Sequence, residues 1–336
     1  MPKPRQSLIS LEATPYYHCV SRCVRRAFLC GKDRFTGKCF EHRRGWIEKR
    51  LLELSRTFAV EICAYAILEN HTHTVIYVDR EMAQSWALDE VIERWHGVFS
   101  GIALSHRYLR GDEMCEAEIE KLREVTELWR ERLMSVSWFM RCLNEHIARR
   151  ANAEDGCTGR FWEGRFKSQA LLDEAALAAC LAYVDLNPIR AGMADTPENS
   201  QYTSIKKRIE DLQLTVDTPQ DDSPASPHPA TLLPFVGNLR QDMPKGLPFV
   251  FTDYLELLDW TGRIVREDKR GSIAADTPPI LQRLHIEPQA WLQMSTEFEN
   301  RFCHFVGRPQ AVQKACNALG QRWVWGTSHC RAMFSP

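Results

Sequence analysis

Residues 60–78 read VEICAYAILENHTHTVIYV, two apolar runs rich in β-branched and aromatic residues around a short polar break. Val60 to Leu68 and Thr72 to Val78 are predicted as strands, because such residues fit a pleated, half-buried surface; Glu69-Asn70-His71 is the break. Upstream, Tyr16 to Val24 (YYHCVSRCV) has the same character and reads as a strand. Between them, Asp33 to Thr57 is predicted helical, with Phe40, Trp46, Ile47, Leu51, Leu52 and Leu54 as an apolar stripe. Downstream, Leu88 to Gly101 and Val136 to Ala153 read as helices, and the acidic stretch 105–135 as an inserted helical hairpin or arm. Gly159 to Leu172 (GRFWEGRFKSQALL) reads as a strand or hairpin. Asp173 then caps a helix in which Ala176, Leu177, Cys180, Leu181 and Val184 share one face, and Pro188 should end or kink it at Asn187. Strand, helix, strand, strand, helix, strand is the order of a ferredoxin-like α+β sheet with helices on one face.

The 336 residues suit two domains: 1–210, with 105–135 as an insertion, and a mainly helical module at 235–336 of no legible role. Residues 211–234, with Pro219, Pro224, Pro227, Pro229 and Pro234 among Asp and Ser, read as the linker. With 44% hydrophobic and 26% charged residues the chain has ordinary globular composition. The net charge of −1 hides an uneven spread: twelve Lys and Arg against four acids in residues 1–50, and eight acids against three bases in 112–131. A near-neutral total therefore does not exclude nucleic acid, which meets a local basic face. Twelve scattered cysteines without a C-x-x-C pair, and no apolar leader at Met1 to Ser10, point to reduced thiols and a cytoplasmic protein. No run approaches the ~18 apolar residues that span a bilayer, so no membrane partner is expected.

Three constellations carry chemistry. In His71-Thr72-His73, residues i and i+2 of a strand face one way, so the two imidazoles project together as half of a metal site; two surface or turn histidines are the bland alternative. Tyr183 and Asn187 lie one helical turn apart; apart from any function they would be a core-edge tyrosine and a helix cap before proline. The stretch Arg160-Phe161-Trp162-Glu163-Gly164-Arg165-Phe166-Lys167 interleaves cations with aromatics, placing Arg165 and Lys167 on one strand face. Cations meet phosphates and aromatic faces stack on unpaired bases, although a cross-strand packing ladder would look the same. Arg22, Arg25 and Arg26 form a basic turn after the first strand.

Taken in order, Tyr16 to Val24, Asn70-His71-Thr72-His73, the Trp162/Arg165/Phe166/Lys167/Ser168 segment and Leu181-Ala-Tyr-Val-Asp-Leu-Asn-Pro-Ile-Arg-Ala-Gly192 resemble the REP-associated tyrosine transposases of the single-tyrosine HUH superfamily. The resemblance spans roughly residues 12–208. It implies that His71 and His73 are the HUH imidazoles, that Asn187 completes the protein side of a divalent metal site for Mg²⁺ or Mn²⁺, and that Tyr183 is the nucleophile. It further implies cleavage and rejoining of single-stranded DNA at hairpins of repetitive extragenic palindromes, through a 5′-phosphotyrosine link and a free 3′-OH. Arg22, Arg25, Arg26, Arg160, Trp162, Arg165 and Lys167 would contact that DNA, and a homodimer is left open. Thr72 departs from the pattern, which usually has a bulky apolar residue there; a buried hydroxyl without a partner costs roughly 1–3 kcal/mol. Two rival readings are a catalytically silent hairpin-binding protein and a metal-dependent hydrolase, the latter lacking a carboxylate or third histidine at suitable spacing.

Overall fold

The two runs around the polar break form an antiparallel hairpin, on which the sheet is built. The computed structural model describes residues 8–24, 29–33, 37–217, 232–237, 245–266, 278–321 and 326–334. In chain order the first elements are β1 (Tyr16–Arg22), α1 (His42–Thr57), β2 (Val60–Ile67) and β3 (His71–Val78). Then come α2 (Arg80–Ser85), α3 (Leu88–His96), α4 (Ala103–Arg110), α5 (Glu116–Leu133), α6 (Val136–Glu154) and β4 (Lys167–Leu171). The remainder is α7 (Glu174–Asp185), α8 (Asn187–Arg190), α9 (Ser204–Asp217), α10 (Phe251–Arg266), α11 (Pro279–Arg283), α12 (Pro288–Arg301), β5 (Phe305–Val306), α13 (Pro309–Ala318) and α14 (Thr327–Phe334).

The described residues form a mixed α+β structure with a five-stranded sheet in the order β2-β3-β1-β4-β5. Pairing is antiparallel from β2 through β4, and β5 joins β4 in parallel. Strand alternation sends Ser21 and Tyr65 to one face, where Asn144 of α6 donates to Ser21 at 2.8 Å and Tyr65 donates to Glu48 of α1 at 2.6 Å. Helices α1 and α6 thus lie together on that face. The opposite face carries His18 and His73 and receives α7, with Tyr183 against both rings. Helix α12 lies beyond, its Phe298 ring 5.7 Å from that of Tyr183.

Several boundaries move for identifiable reasons. Helix α1 begins at His42, not Asp33, because Gly37, inside the expected span, sits at φ 73°, which a right-handed helix cannot contain, and Cys39 forms a bridge with Lys32. His71 belongs to β3 and not to the break. Helix α3 stops at His96, and α2, absent from the sequence reading, is capped by Asp79 accepting from Met82 N at 2.8 Å. Only Lys167–Leu171 of the 159–172 segment is a strand; Arg165 precedes it, so Arg165 and Lys167 do not share a strand face. Residues 105–135 contain most of α4 and all of α5, with Trp129 of α5 stacked on Trp95 of α3 at 5.2 Å. Helix α7 is buried from Ala175 to Asp185 on every side, not on one face. Its five alanines leave room for the sheet and α12 to pack closely against it.

Candidate functional site

The register pairs Val20 with His73 and Arg22 with His71, so His18, two residues before Val20, faces the same side of the sheet. His71 and His73 have ring centroids 4.8 Å apart, and His18 stacks on His73 at 5.1 Å. Asp173 caps α7 by accepting from Ala176 N at 2.9 Å, and this helix delivers Tyr183 edge-on, 5.4 Å from His73. The structure therefore gathers His71, His73 and Tyr183 in one place. Asn187 opens α8 immediately after the α7 break at Leu186 and is buried.

Protonation follows from the neighbours. His71 Nδ1 lies 2.5 Å from Asn70 Oδ1. An amide oxygen only accepts, so Nδ1 carries the proton and Nε2 the lone pair. His73 Nε2 is buried and has no hydrogen-bond partner among the described residues. Burial, then the Arg22 charge, lowers the His71 pKa to about 4; burial and the adjacent His71 push His73 well below its usual value. Both rings are neutral near pH 7, the form in which imidazole binds a metal. Two neutral imidazoles, one with an orphaned buried nitrogen, fit the divalent cation that the family resemblance implies. Among the described residues no three His, Cys, Asp or Glu side chains gather in ligating geometry, so any site here needs a different third ligand.

Tyr183 is 7% exposed. Burial raises its phenol pKa, while the Arg190 guanidinium, 4.2 Å from the ring centroid, opposes the rise. Arg190 is itself held by the Thr296 carbonyl. Arg22 is the last residue of β1 and not part of a turn, and Lys167 opens β4; Glu299 of α12 reaches both, at 3.9 and 2.9 Å. Arg160 and Arg165 are exposed, and Arg25 and Arg26 lie outside the described residues. Phe161 and Phe166 are buried and cannot stack on bases as the interleaved pattern suggested. Trp162 is half-buried, its indole N–H donated to the Asn144 carbonyl at 2.8 Å.

The sequence reading passed over His18, Gln169, Arg190, Phe298 and Glu299. His18 had a signal, the two-residue spacing to Val20 and Arg22 on a strand. Arg190 stood inside the quoted Asn-Pro-Ile-Arg stretch. Phe298 and Glu299 carry no local signal, since only the tertiary fold brings α12 here.

No known family profile matches the chain, and no curated protein does. A solved structure of a REP-associated tyrosine transposase bound to a REP hairpin is similar over 67% of this chain and 96% of its own, at 12% identity and a TM-score of 0.34. Among the described residues no helix is long and apolar enough to cross a membrane.

Proposed function

We propose that this chain is a metal-dependent, DNA-cleaving and rejoining enzyme of the single-tyrosine HUH type, acting on single-stranded DNA beside hairpins. The observation that carries the reading is the convergence of His71, His73 and Tyr183, with ring centroids 4.8 and 5.4 Å apart along that series. Support for a ferredoxin-like frame comes from the order β4-β1-β3-β2 with every neighbour antiparallel. A divalent cation, Mg²⁺ or Mn²⁺, held by His71, His73 and Asn187, would polarise the scissile phosphate as a Lewis acid. Tyr183 Oη attacks the phosphorus and gives up its proton; the P–O3′ bond breaks, and the departing oxygen takes a proton to become a free 3′-OH. The 5′-phosphotyrosine keeps the phosphodiester's energy, so a 3′-OH can reverse the step and rejoin the strand. Arg190 offsets negative charge as it develops on the phenol. Arg22, Arg160, Arg165 and Lys167 meet phosphates, and the exposed part of Trp162 offers a surface for an unpaired base.

The test is a labelled hairpin oligonucleotide with a single-stranded flank, incubated with protein and Mn²⁺ and run on a denaturing gel. The prediction is a protein–DNA band that Tyr183→Phe and EDTA each abolish, with hairpin binding nearly intact in Tyr183→Phe. A band that survives in Tyr183→Phe removes the nucleophile assignment. Tight hairpin binding with no band under any metal supports the alternative, a catalytically silent hairpin-binding protein.

A further inference from the structure

The His73 ring is the first link of a buried chain of hydrogen bonds. Its Nδ1 lies 2.9 Å from His18 Nε2, and His18 Nδ1 lies 2.7 Å from Gln169 Oε1. Gln169 Nε2 in turn donates to the Phe302 carbonyl, just past α12, at 2.6 Å. His18, His73 and Gln169 are all buried. The direction of the chain is set at its far end. A carbonyl oxygen only accepts, so the amide nitrogen of Gln169 faces Phe302 and its oxygen faces His18. That oxygen only accepts as well, so His18 Nδ1 carries a proton. His18 is fully buried and bonds to an amide oxygen and a second imidazole, not to a carboxylate, surroundings that hold one ring proton and not two, so its Nε2 is a lone pair. His73 Nδ1 must then be the donor, leaving His73 Nε2 proton-free, and this is the same atom that has no partner among the described residues.

We propose that His18 and Gln169 are positioning residues that lock His73 in its Nδ1–H tautomer and so keep its Nε2 as a ligating nitrogen, with the C-terminal segment closing the relay through the Phe302 carbonyl. The proposal rests on the reading of His71 and His73 as metal ligands. Partners one bond removed from a metal ligand typically change metal affinity by about 10–100-fold.

Two measurements test it on the full chain. In metal-free protein labelled with ¹⁵N-histidine, long-range proton–nitrogen NMR should show His73 with a protonated Nδ1 and a bare Nε2, its signals assigned by comparison with His73→Gln. A proton on Nε2 overturns the relay, whatever the protein does with metal. Mn²⁺ titration followed by EPR should show a Kd raised about 10–100-fold in His18→Phe and in Gln169→Leu. His18→Gln, whose amide oxygen can still accept from His73, should recover most of the loss. Unchanged Mn²⁺ affinity in a folded His18→Phe sinks the relay alone; if that variant does not fold, Gln169→Leu and the parent's NMR signature decide. A parent that binds no Mn²⁺ sinks the ligand reading along with it.

Discussion

Tyr183 shows how much a single side chain owes to its neighbours. Burial opposes ionisation of its phenol, and the Arg190 guanidinium is the nearby charge that works against burial. We predict that Arg190→Gln slows adduct formation roughly 10²-fold in single-turnover assays, the scale of losing one electrostatic stabiliser; an unchanged rate would leave Arg190 a structural residue only. Trp162 makes the opposite case. Its indole N–H is committed to Asn144 and its ring meets buried Phe161 at 5.0 Å. Trp162→Ala should therefore lower Tm, at the lower end of the roughly 3–5 kcal/mol typical of truncating a large aromatic, before any effect on DNA is read. A folded Trp162→Ala with parental Tm, losing affinity only for hairpins with an unpaired base beside the stem, would restore base stacking as its main role. That His71 and His73 project from one strand face was legible from strand periodicity; that Tyr183 meets them was only what the family resemblance implied. The burial of Phe161 and Phe166 was not legible, because a run of alternating aromatics and cations looks the same over a core and over a groove.

At the scale of one element, α7 is held at its far end by Asp185. Ser204 of α9 donates to Oδ1 at 2.6 Å and Tyr254 of α10 to Oδ2 at 2.7 Å, so three helices meet at one carboxyl. Asp185→Ala would leave two buried hydroxyls without that acceptor, each worth about 1–3 kcal/mol, and we predict a loss of about 2–5 kcal/mol in urea unfolding. Burial raises the Asp185 pKa from its ordinary 3.8, against the two hydroxyls and Arg208. The folded state thus holds this proton more tightly than the unfolded chain. Its contribution to stability is full below pH 3.8 and is lost as the pH rises through the folded value. The stability of the parent relative to Asp185→Asn should accordingly fall with rising pH; a rise would mean that Arg208 outweighs burial. The start of α7 could be read from Asp173 alone. Its burial on all sides could not, since the helix that covers it lies beyond the proline-rich stretch.

For the molecule as a whole, the βαββ order and the strand after it were legible from alternating apolar runs, and those runs also carry the candidate histidines. The fifth strand was not. Two residues, Phe305 and Val306, pair with Ala170 and Leu171, too short a run to register as a strand without its partner. That pairing places α12 over the histidine face, with Phe298 against His18 at 5.9 Å. The distant C-terminal stretch therefore shapes a site whose other residues all lie before residue 200.

Glu299 has one more consequence. It lies between Arg22 and Lys167 as an anion would; burial pushes its pKa up, and the pairing with Lys167, helped by Arg22, outweighs burial and holds the pKa low. Small ions need not condense around cations that carry their own anion. A phosphate arriving there trades one fixed negative group for another and releases little salt into solution. The apparent association constant should fall less steeply with salt than a count of basic residues suggests, each free phosphate contact being worth a slope of about −0.7 on single strands. In Glu299→Gln the same two cations are exposed to the electrolyte. We predict hairpin binding tighter by roughly threefold to tenfold at low salt, and a log–log salt slope steeper by about one unit. Parallel lines for parent and variant would show that the carboxylate and the DNA never compete for the same ground.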